Sequence, residues 1–506
     1  MPFRWYVTAK DKPYEGSPKH ITRICIVLLV LGLACTHLCA QSPPAADALS
    51  ARIDEILADD RLDSARIGVH VVTADAGEGL YSHNASESFI VASNQKLLTS
   101  ATALIFLGKD YEFTTRLHAI GPIGENGVLA GDLIIEGGGD PAIGGEHESP
   151  DALKAFGEWA DILESKGVQK VTGDIVADDS FFDRKRVHPE WPPKQLWKSY
   201  CAPVSALSAN DNCVKIQCQP GNSPGAAAAL SLIPDVPIVE LRNRCTTSSS
   251  KHLIWFYRKG DSRTVTVGGK VRTDSGGYTD TVTVRDPALY TAMILKKALQ
   301  RNGIEVDGEV RLIEDSDLEN KADRRQVAEL HHELVPVLRT MVKNSENMYA
   351  EQVIKTVGAE CAGEGTWDAG LSRAAEMLCY LTGDRDEFTL SDGSGMSRKN
   401  KLTPRTITSL LCFMSRTELG ATYKSLMAVS GKDGTLDSRL DKEPYAGAIR
   451  GKTGYLRSVG ALSGYAQTKS GREVVFSVLI NDYPGGNYGM KQIEDAIARA
   501  IVNHTP

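Results

Sequence analysis

Ser93 and Lys96 stand three residues apart in Val91-Ala92-Ser93-Asn94-Gln95-Lys96-Leu97-Leu98. Apolar residues then recur at Leu97, Ala101 and Leu104, a helical spacing, and Gly108 is a natural stop. Positions i and i+3 share a helix face, so the lysine amine can reach the serine hydroxyl. The start of a helix also favours developing negative charge. That combination activates a serine without a histidine, because the lysine serves as its base. Ser-x-x-Lys alone is common. Two later stretches give it weight: Ser345-Glu346-Asn347, a Ser-x-Asn, and Lys452-Thr453-Gly454 followed by Tyr455.

These residues need elements to bring them together. Ile67, Val69 and Val71 alternate in a strand, and a turn over 74–79 leads back through Leu80-Tyr81, a hairpin pattern that ends just before Ser93. Residues 335–357 predict helices on both sides of Ser345 and Asn347. Asp392-Gly393-Ser394-Gly395 is a tight loop, and 403–414 reads as an apolar helix with Pro404 in its first turn. Lys452 to Tyr455, Ala461 to Gln467 and Val474 to Ile480 form an antiparallel meander, with a turn at 469–471. Ile493, Ile497 and Ile501 close the chain as an amphipathic helix, and 47–57 is a second one near its start.

Between these flanks lies a glycine-rich stretch, 117–285, full of short strand patterns and turn signals. Its run Gly137-Gly138-Gly139 reads as a turn, since no Gly-Lys-Ser/Thr follows it. From Asp286 the pattern changes, with a helix over 288–302 ending near Gly303. The expected organisation is a leader at 1–40, a discontinuous catalytic domain from 41–116 and 286–506, and an inserted module at 117–285.

The 506 residues, 42% hydrophobic and 24% charged, describe a globular protein of more than one domain. A net charge of -7 gives no electrostatic case for nucleic acid, and no H-E-x-x-H or Cys-x-x-Cys suggests a metal. The apolar run 24–34 is too short to span a membrane; with Lys19 and Arg23 before it and Leu38-Cys39-Ala40-Gln41 after, it reads as a signal peptide cleaved after Ala40. An uncleaved anchor giving peripheral membrane association is the alternative. Cleavage leaves seven cysteines. Cys201, Cys213, Cys218 and Cys245 can form two disulfides in any of three connectivities, while Cys379 and Cys412 read as small core residues.

The three motifs, in this order, form a signature of penicillin-binding proteins and class A β-lactamases. With Tyr200-Cys201-Ala202-Pro203-Val204-Ser205-Ala206-Leu207 and Asp392-Gly393-Ser394-Gly395-Met396-Ser397-Arg398, the chain resembles the D-alanyl-D-alanine carboxypeptidase/endopeptidase family, the class C low-molecular-mass penicillin-binding proteins, over nearly all its mature length. The resemblance implies an α/β (α+β) serine transpeptidase/β-lactamase-like domain, its antiparallel sheet packed with helices, carrying a large, mainly-β insert of two smaller domains. It implies a serine-type peptidase that cuts D-Ala-D-Ala ends or cross-links of peptidoglycan stem peptides in the periplasm or cell envelope, needs no cofactor and is acylated by β-lactams. Carried over, Ser93 is the nucleophile and Lys96 its base, kept neutral by repulsion from Lys452. Ser345 relays a proton to the leaving group, and Asn347 holds substrate and Lys96. Lys452 and Thr453 bind the terminal carboxylate beside Gly454, and the backbone N–H groups of Ser93 and Tyr455 form an oxyanion hole. Thr or Ser often follows Lys-Thr-Gly in the family; Tyr455 keeps the backbone donor but puts a side-chain hydroxyl contact in doubt. The alternatives are a β-lactamase-like hydrolase, against which the insert argues, and a penicillin-binding sensor without turnover.

Overall fold

The computed structural model describes residues 48–145, 152–260, 262–319 and 323–504. The signal-peptide reading at 1–40 lies outside them. The central sheet has six antiparallel strands in the spatial order Ala428–Val429, Ile449–Leu456, Val459–Gln467, Glu473–Asn481, Arg66–Thr73, Gly79–His83. The hairpin and the meander, nearly 400 residues apart, therefore meet edge to edge: Ile67 pairs with Ile480 and Val71 with Phe476.

The strand Glu473–Asn481 is buried along almost its whole length because both sheet faces are covered. Val474, Phe476, Val478 and Ile480 pack with Leu49 and Ile53 of the helix Ala48–Leu57 and with Ile493, Ile497 and Ile501 of the helix Asn487–Asn503. Val475 and Leu479 point the other way, into a core built on the helices Gln95–Phe106, Leu334–Lys343, Asn347–Ala362, Trp367–Thr382 and Pro404–Arg416. Thr403 caps the last of these by accepting a hydrogen bond from the Thr406 N–H, and Pro404 occupies the first helical position, where no N–H is needed.

A second core is built on a five-stranded sheet in the order Val310–Leu312, Ile175–Asp178, Leu133–Glu136, Glu112–Ala119, Arg325–Glu333, with the helices Ala152–Ser165 and Pro287–Arg301 against it. Two three-stranded sheets extend it: Ala229–Ile233, Cys213–Gln219, Tyr278–Thr283, and Glu240–Ser248, Thr264–Arg272, Leu253–Arg258.

The boundaries drawn at 117 and 285 do not follow this packing. The second core continues past Asp286 through Ala288, Leu295, Val306 and Val327, because Arg325–Glu333 pairs with Glu112–Ala119. Phe182, Trp191, Cys201, Ala202 and Val204, by contrast, leave the inserted stretch and pack in the core around the helix Gln95–Phe106. Deleting 117–285 would thus strip part of that core.

All seven cysteines of the described residues are thiols. Cys218 and Cys245, on facing strands of the two small sheets, have sulfurs 3.7 Å apart. Cys201 instead packs against Met396, and burial pushes the Cys213 thiol well above its usual range. Of the three connectivities, packing favours only the Cys218–Cys245 pair. Oxidised glutathione should join these two, the thiols losing two protons and two electrons to the reagent, while Cys201 and Cys213 remain alkylatable. Closing this loop should stabilise the fold by about 3.5 kcal/mol on chain-entropy grounds. Non-reducing peptide mapping with a melting curve checks both; a bridge to Cys201 would contradict the packing.

Candidate active site

Ser93 lies in a single 3-10 turn, Ala92–Asn94, that runs directly into the helix Gln95–Phe106. The turn is held by contacts from three directions. Ala92 has φ 46°, a strained left-handed conformation for a residue with a side chain. Gly395, at φ +84°, lies so close over it that a Cβ there would sit 1.8 Å from the Ala92 carbonyl oxygen. Gly454 of the Lys-Thr-Gly strand approaches from the other side, where a Cβ would stand 3.1 Å from both the Ser93 nitrogen and Ala92 Cβ. The glycine of that motif is therefore what lets the strand lie against the Ser93 backbone. Beneath the turn, the Asn94 amide donates to Ser463 Oγ (2.7 Å), which donates to Ser477 Oγ (2.9 Å), tying the turn to the central sheet.

Lys96 is fully buried, and its amine donates to Ser93 Oγ (3.1 Å), Asn347 Oδ1 (2.6 Å) and the Ser394 carbonyl (2.8 Å). Burial pushes its pKa down to about 8 from the ordinary 10.5, against the pull of Glu351, Asp392 and Glu346. The chief cause is lost hydration. Lys452 is also buried; burial and then the charge of Lys96 hold its amine well below the usual lysine range, while Glu346 opposes this. Its amine donates to the Thr453 carbonyl (2.8 Å). Two lysines this desolvated and repelling one another disfavour a double positive charge.

Ser345 joins two helices. Leu334–Lys343 ends before it and Asn347–Ala362 begins after it, and φ 68° at Ser345 makes the reversal. The turn sets Asn347 at the first helical position, with its amide nitrogen on the Tyr200 carbonyl (2.8 Å) and its oxygen on Lys96. Among the described residues no hydrogen bond joins the Ser345 hydroxyl to Ser93 or Lys96. Lys452 and Gly454 face the Ser93 turn. Thr453 and Tyr455 alternate to the outer face, where Thr453 donates to Thr435 Oγ1 (2.8 Å) and Tyr455 is half exposed. The two-residue strand Ala428–Val429 pairs only with Arg450 and Gly451, so no strand among the described residues covers the edge beyond them.

Of two supporting carboxyls, the sequence reading misses Glu351 and places Asp392 only in a tight loop. Glu351, fully buried, accepts from the backbone N–H groups of Gly393 (2.9 Å) and Ser394 (2.8 Å) and from Trp367 Nε1 (2.8 Å). Burial and neighbouring Asp392 raise its pKa, and these donors oppose the rise. Asp392 accepts from the N–H groups of Gly395 (2.7 Å) and Ser397 (2.6 Å), from Asn400 (2.7 Å) and from Trp191 (3.1 Å). Together these two carboxyls fix the loop whose Ser394 carbonyl receives Lys96. Glu351 follows Asn347 by four residues, one helical turn on the same face; that spacing was the available signal.

A family model described as D-Ala-D-Ala carboxypeptidase 3 (S13) family matches residues 49–503. The chain is 34% identical to the D-alanyl-D-alanine carboxypeptidase of an Actinomadura species, over 97% of this chain and 93% of that one. It is 25% identical to the D-alanyl-D-alanine carboxypeptidase DacB of Haemophilus influenzae, over 85% and 88% of the two chains. The crystal structure of penicillin binding protein 4 from Haemophilus influenzae shares the fold, with a TM-score of 0.77 at 23% identity, covering 89% of this chain and 99% of that one.

Proposed function

The chain belongs to the D-Ala-D-Ala carboxypeptidase 3 family of serine-type peptidases, and on that premise we propose that Ser93 takes the acyl group, Lys96 removes its proton and Lys452 reads the substrate's terminal carboxylate. The observation that carries this reading is the fan of three bonds from the Lys96 amine. As an ammonium it satisfies all three acceptors. As a neutral amine it keeps two N–H groups for Asn347 Oδ1 and the Ser394 carbonyl, and its lone pair is left facing Ser93 Oγ.

The two lysines then work as a pair. In the empty site their mutual repulsion favours a single shared charge. An arriving carboxylate favours a charge on Lys452, and that charge helps keep Lys96, once it has lost its own proton, the neutral base. Ser93 Oγ attacks the carbonyl carbon of the penultimate D-Ala while its proton passes to Lys96. The backbone N–H groups of Ser93 and Tyr455 hold the oxyanion, where one donor is typically worth roughly 10²–10³ in rate. The C–N bond breaks as the leaving amine takes the proton from Lys96 through Ser345; water then gives a proton to the same base and attacks the ester, and Ser93 Oγ leaves with that proton as the acid is released. The open edge of the Lys-Thr-Gly strand receives the peptide as an added strand, with Asn347 and Thr453 at its sides. The strained amide of a β-lactam meets the same serine and acylates it. No cofactor is needed at any step. The same geometry accepts a cross-linked D-amino-acid bond, the endopeptidase reaction, in the cell envelope, to which the leader at 1–40 would deliver the chain.

The test is a stem-peptide analogue ending in D-Ala-D-Ala, offered with a free and with an amidated terminus. Wild-type enzyme should release D-Ala from the first and discriminate against the second. Lys452→Ala should raise KM for the free carboxylate about tenfold to a hundredfold, the worth of one charged hydrogen bond, and narrow the preference. If Lys452→Ala cleaves both at wild-type rates, the carboxylate is read elsewhere.

A further inference from the structure

The small sheet Glu240–Ser248, Thr264–Arg272, Leu253–Arg258 has two unlike faces. Cys245, Phe256, Val265, Val267 and Val271 are buried in the second core. The opposite face presents Leu253, Trp255 and Tyr257, alternate residues of an edge strand, at 72%, 45% and 53% exposure. Its other strands add Arg242, Arg244 and Lys270, all exposed and without an ion pair among the described residues.

The Trp255 ring does not stand up from this face. It lies down on Gly268, its cross-strand partner: a Cβ there would come within 2.1 Å of Trp255 Cζ2 and 2.5 Å of Cε2 and Cη2. A glycine makes room for an indole laid flat on the sheet with its outer side open. Such a ring offers a platform for the apolar C–H face of a sugar. Tyr257, two residues along, continues the row about 6.6 Å away, at the rise of an extended strand.

Charge narrows the choice of occupant. The chain carries -7 overall, yet this face gathers three cations without an ion pair among the described residues; Glu240 sits at its end on the Thr264 hydroxyl, and Asp274 pairs with Arg272. An aromatic row beside these cations fits an anionic glycan. We propose that this face docks the peptidoglycan strand to which the stem-peptide substrate is attached, its sugars on Trp255 and Tyr257 and the free carboxylates of its peptides on Arg242, Arg244 and Lys270. The proposal rests on the carboxypeptidase reading for the identity of the polymer. No residue of the face belongs to the Ser93 site, so a soluble peptide should be cleaved without it.

The experiment is cosedimentation of the mature enzyme with sacculi stripped of phosphodiester-linked polymers by hydrofluoric acid. Wild type should pellet, and less so as salt rises. The double variant Trp255→Ala/Tyr257→Ala and the double variant Arg242→Glu/Arg244→Glu should each bind at least tenfold more weakly. Trp255→Tyr, which keeps a flat ring, should bind nearly as wild type. All should form the penicillin adduct and cleave soluble stem peptide at wild-type rates, which reports that each is folded. Undiminished binding by both double variants would overturn the proposal. So would binding that vanishes with the phosphodiester polymers, transfers to anionic phospholipid vesicles, or is replaced by self-association through this face. Wild-type enzyme that binds sacculi but cleaves no stem peptide would instead refute the carboxypeptidase reading and leave the docking face standing.

Discussion

Ser93→Ala should yield a folded protein that takes up no penicillin and releases D-Ala at a rate reduced on the order of 10⁵-fold or more, the scale on which serine hydrolases lose kcat with their nucleophile. The fold should survive because the hydroxyl supplies only one of three acceptors around Lys96. Asn347 Oδ1 at 2.6 Å and the Ser394 carbonyl at 2.8 Å remain, and the turn is held by Gly395, Gly454 and the Asn94–Ser463 bond. A loss of about 1 kcal/mol of stability is expected from the one missing bond. Intact-mass analysis after penicillin treatment reads the result: a single adduct on wild type, mapped to the peptide containing Ser93, and none on the variant. An adduct of equal stoichiometry on the variant would move the nucleophile elsewhere, with Ser345 the first residue to test.

What the sequence disclosed about this site was its local part. Ser93 and Lys96 share a helix face by spacing alone. The meander that carries Lys452 shows its period of two, and the fold family follows from three motifs in order. The unseen part depends on pairings distant along the chain. Nothing near Arg325–Glu333 says that it will pair with Glu112–Ala119, so the inserted module was drawn too short at its end. Nothing near Trp191 says that it will return to the core around the helix Gln95–Phe106 to hold Asp392, or near Tyr200 that its carbonyl will hold Asn347, so the module includes too much in its middle. The helix Ala152–Ser165 was legible in principle: Ala152, Phe156, Trp159, Ala160 and Leu163 recur at helical spacing. Strand patterns on both sides obscured it. Naming Lys452 alone leaves out the larger cause of the Lys96 shift for a related reason. Charge can be read from a sequence, whereas full burial of an amine is a property of packing.

That burial makes the pH dependence of acylation the sharper test of Lys96. Below about 8 the amine is an ammonium with no lone pair; above it, the lone pair faces Ser93. The second-order rate of penicillin acylation should therefore rise with pH through about 8 and level off, reporting the free enzyme's base. Stability should move in the same direction. The folded pKa lies below the unfolded value of 10.5, so between about 8 and 10.5 the unfolded chain holds a proton the folded site has released, and the fold gains stability as pH rises across that window. Lys96→Ala should lose about 10²–10⁴ in acylation rate. Lys96→Arg should lose at least as much although it keeps a cation, since a guanidinium does not become neutral. Glu351→Gln probes the other side of the balance. It removes the carboxylate that most favours the ammonium, so the midpoint should fall below that of wild type. Its amide leaves one of the N–H donors now shared by the carboxylate unpaired, at a cost of about 1–3 kcal/mol, which a melting curve measures separately. A flat profile between pH 6 and 9 in wild type would exclude Lys96 as the base. A midpoint that rises in Glu351→Gln would mean that the carboxyl acts on Lys96 by shaping the Ser394 loop and not by its charge.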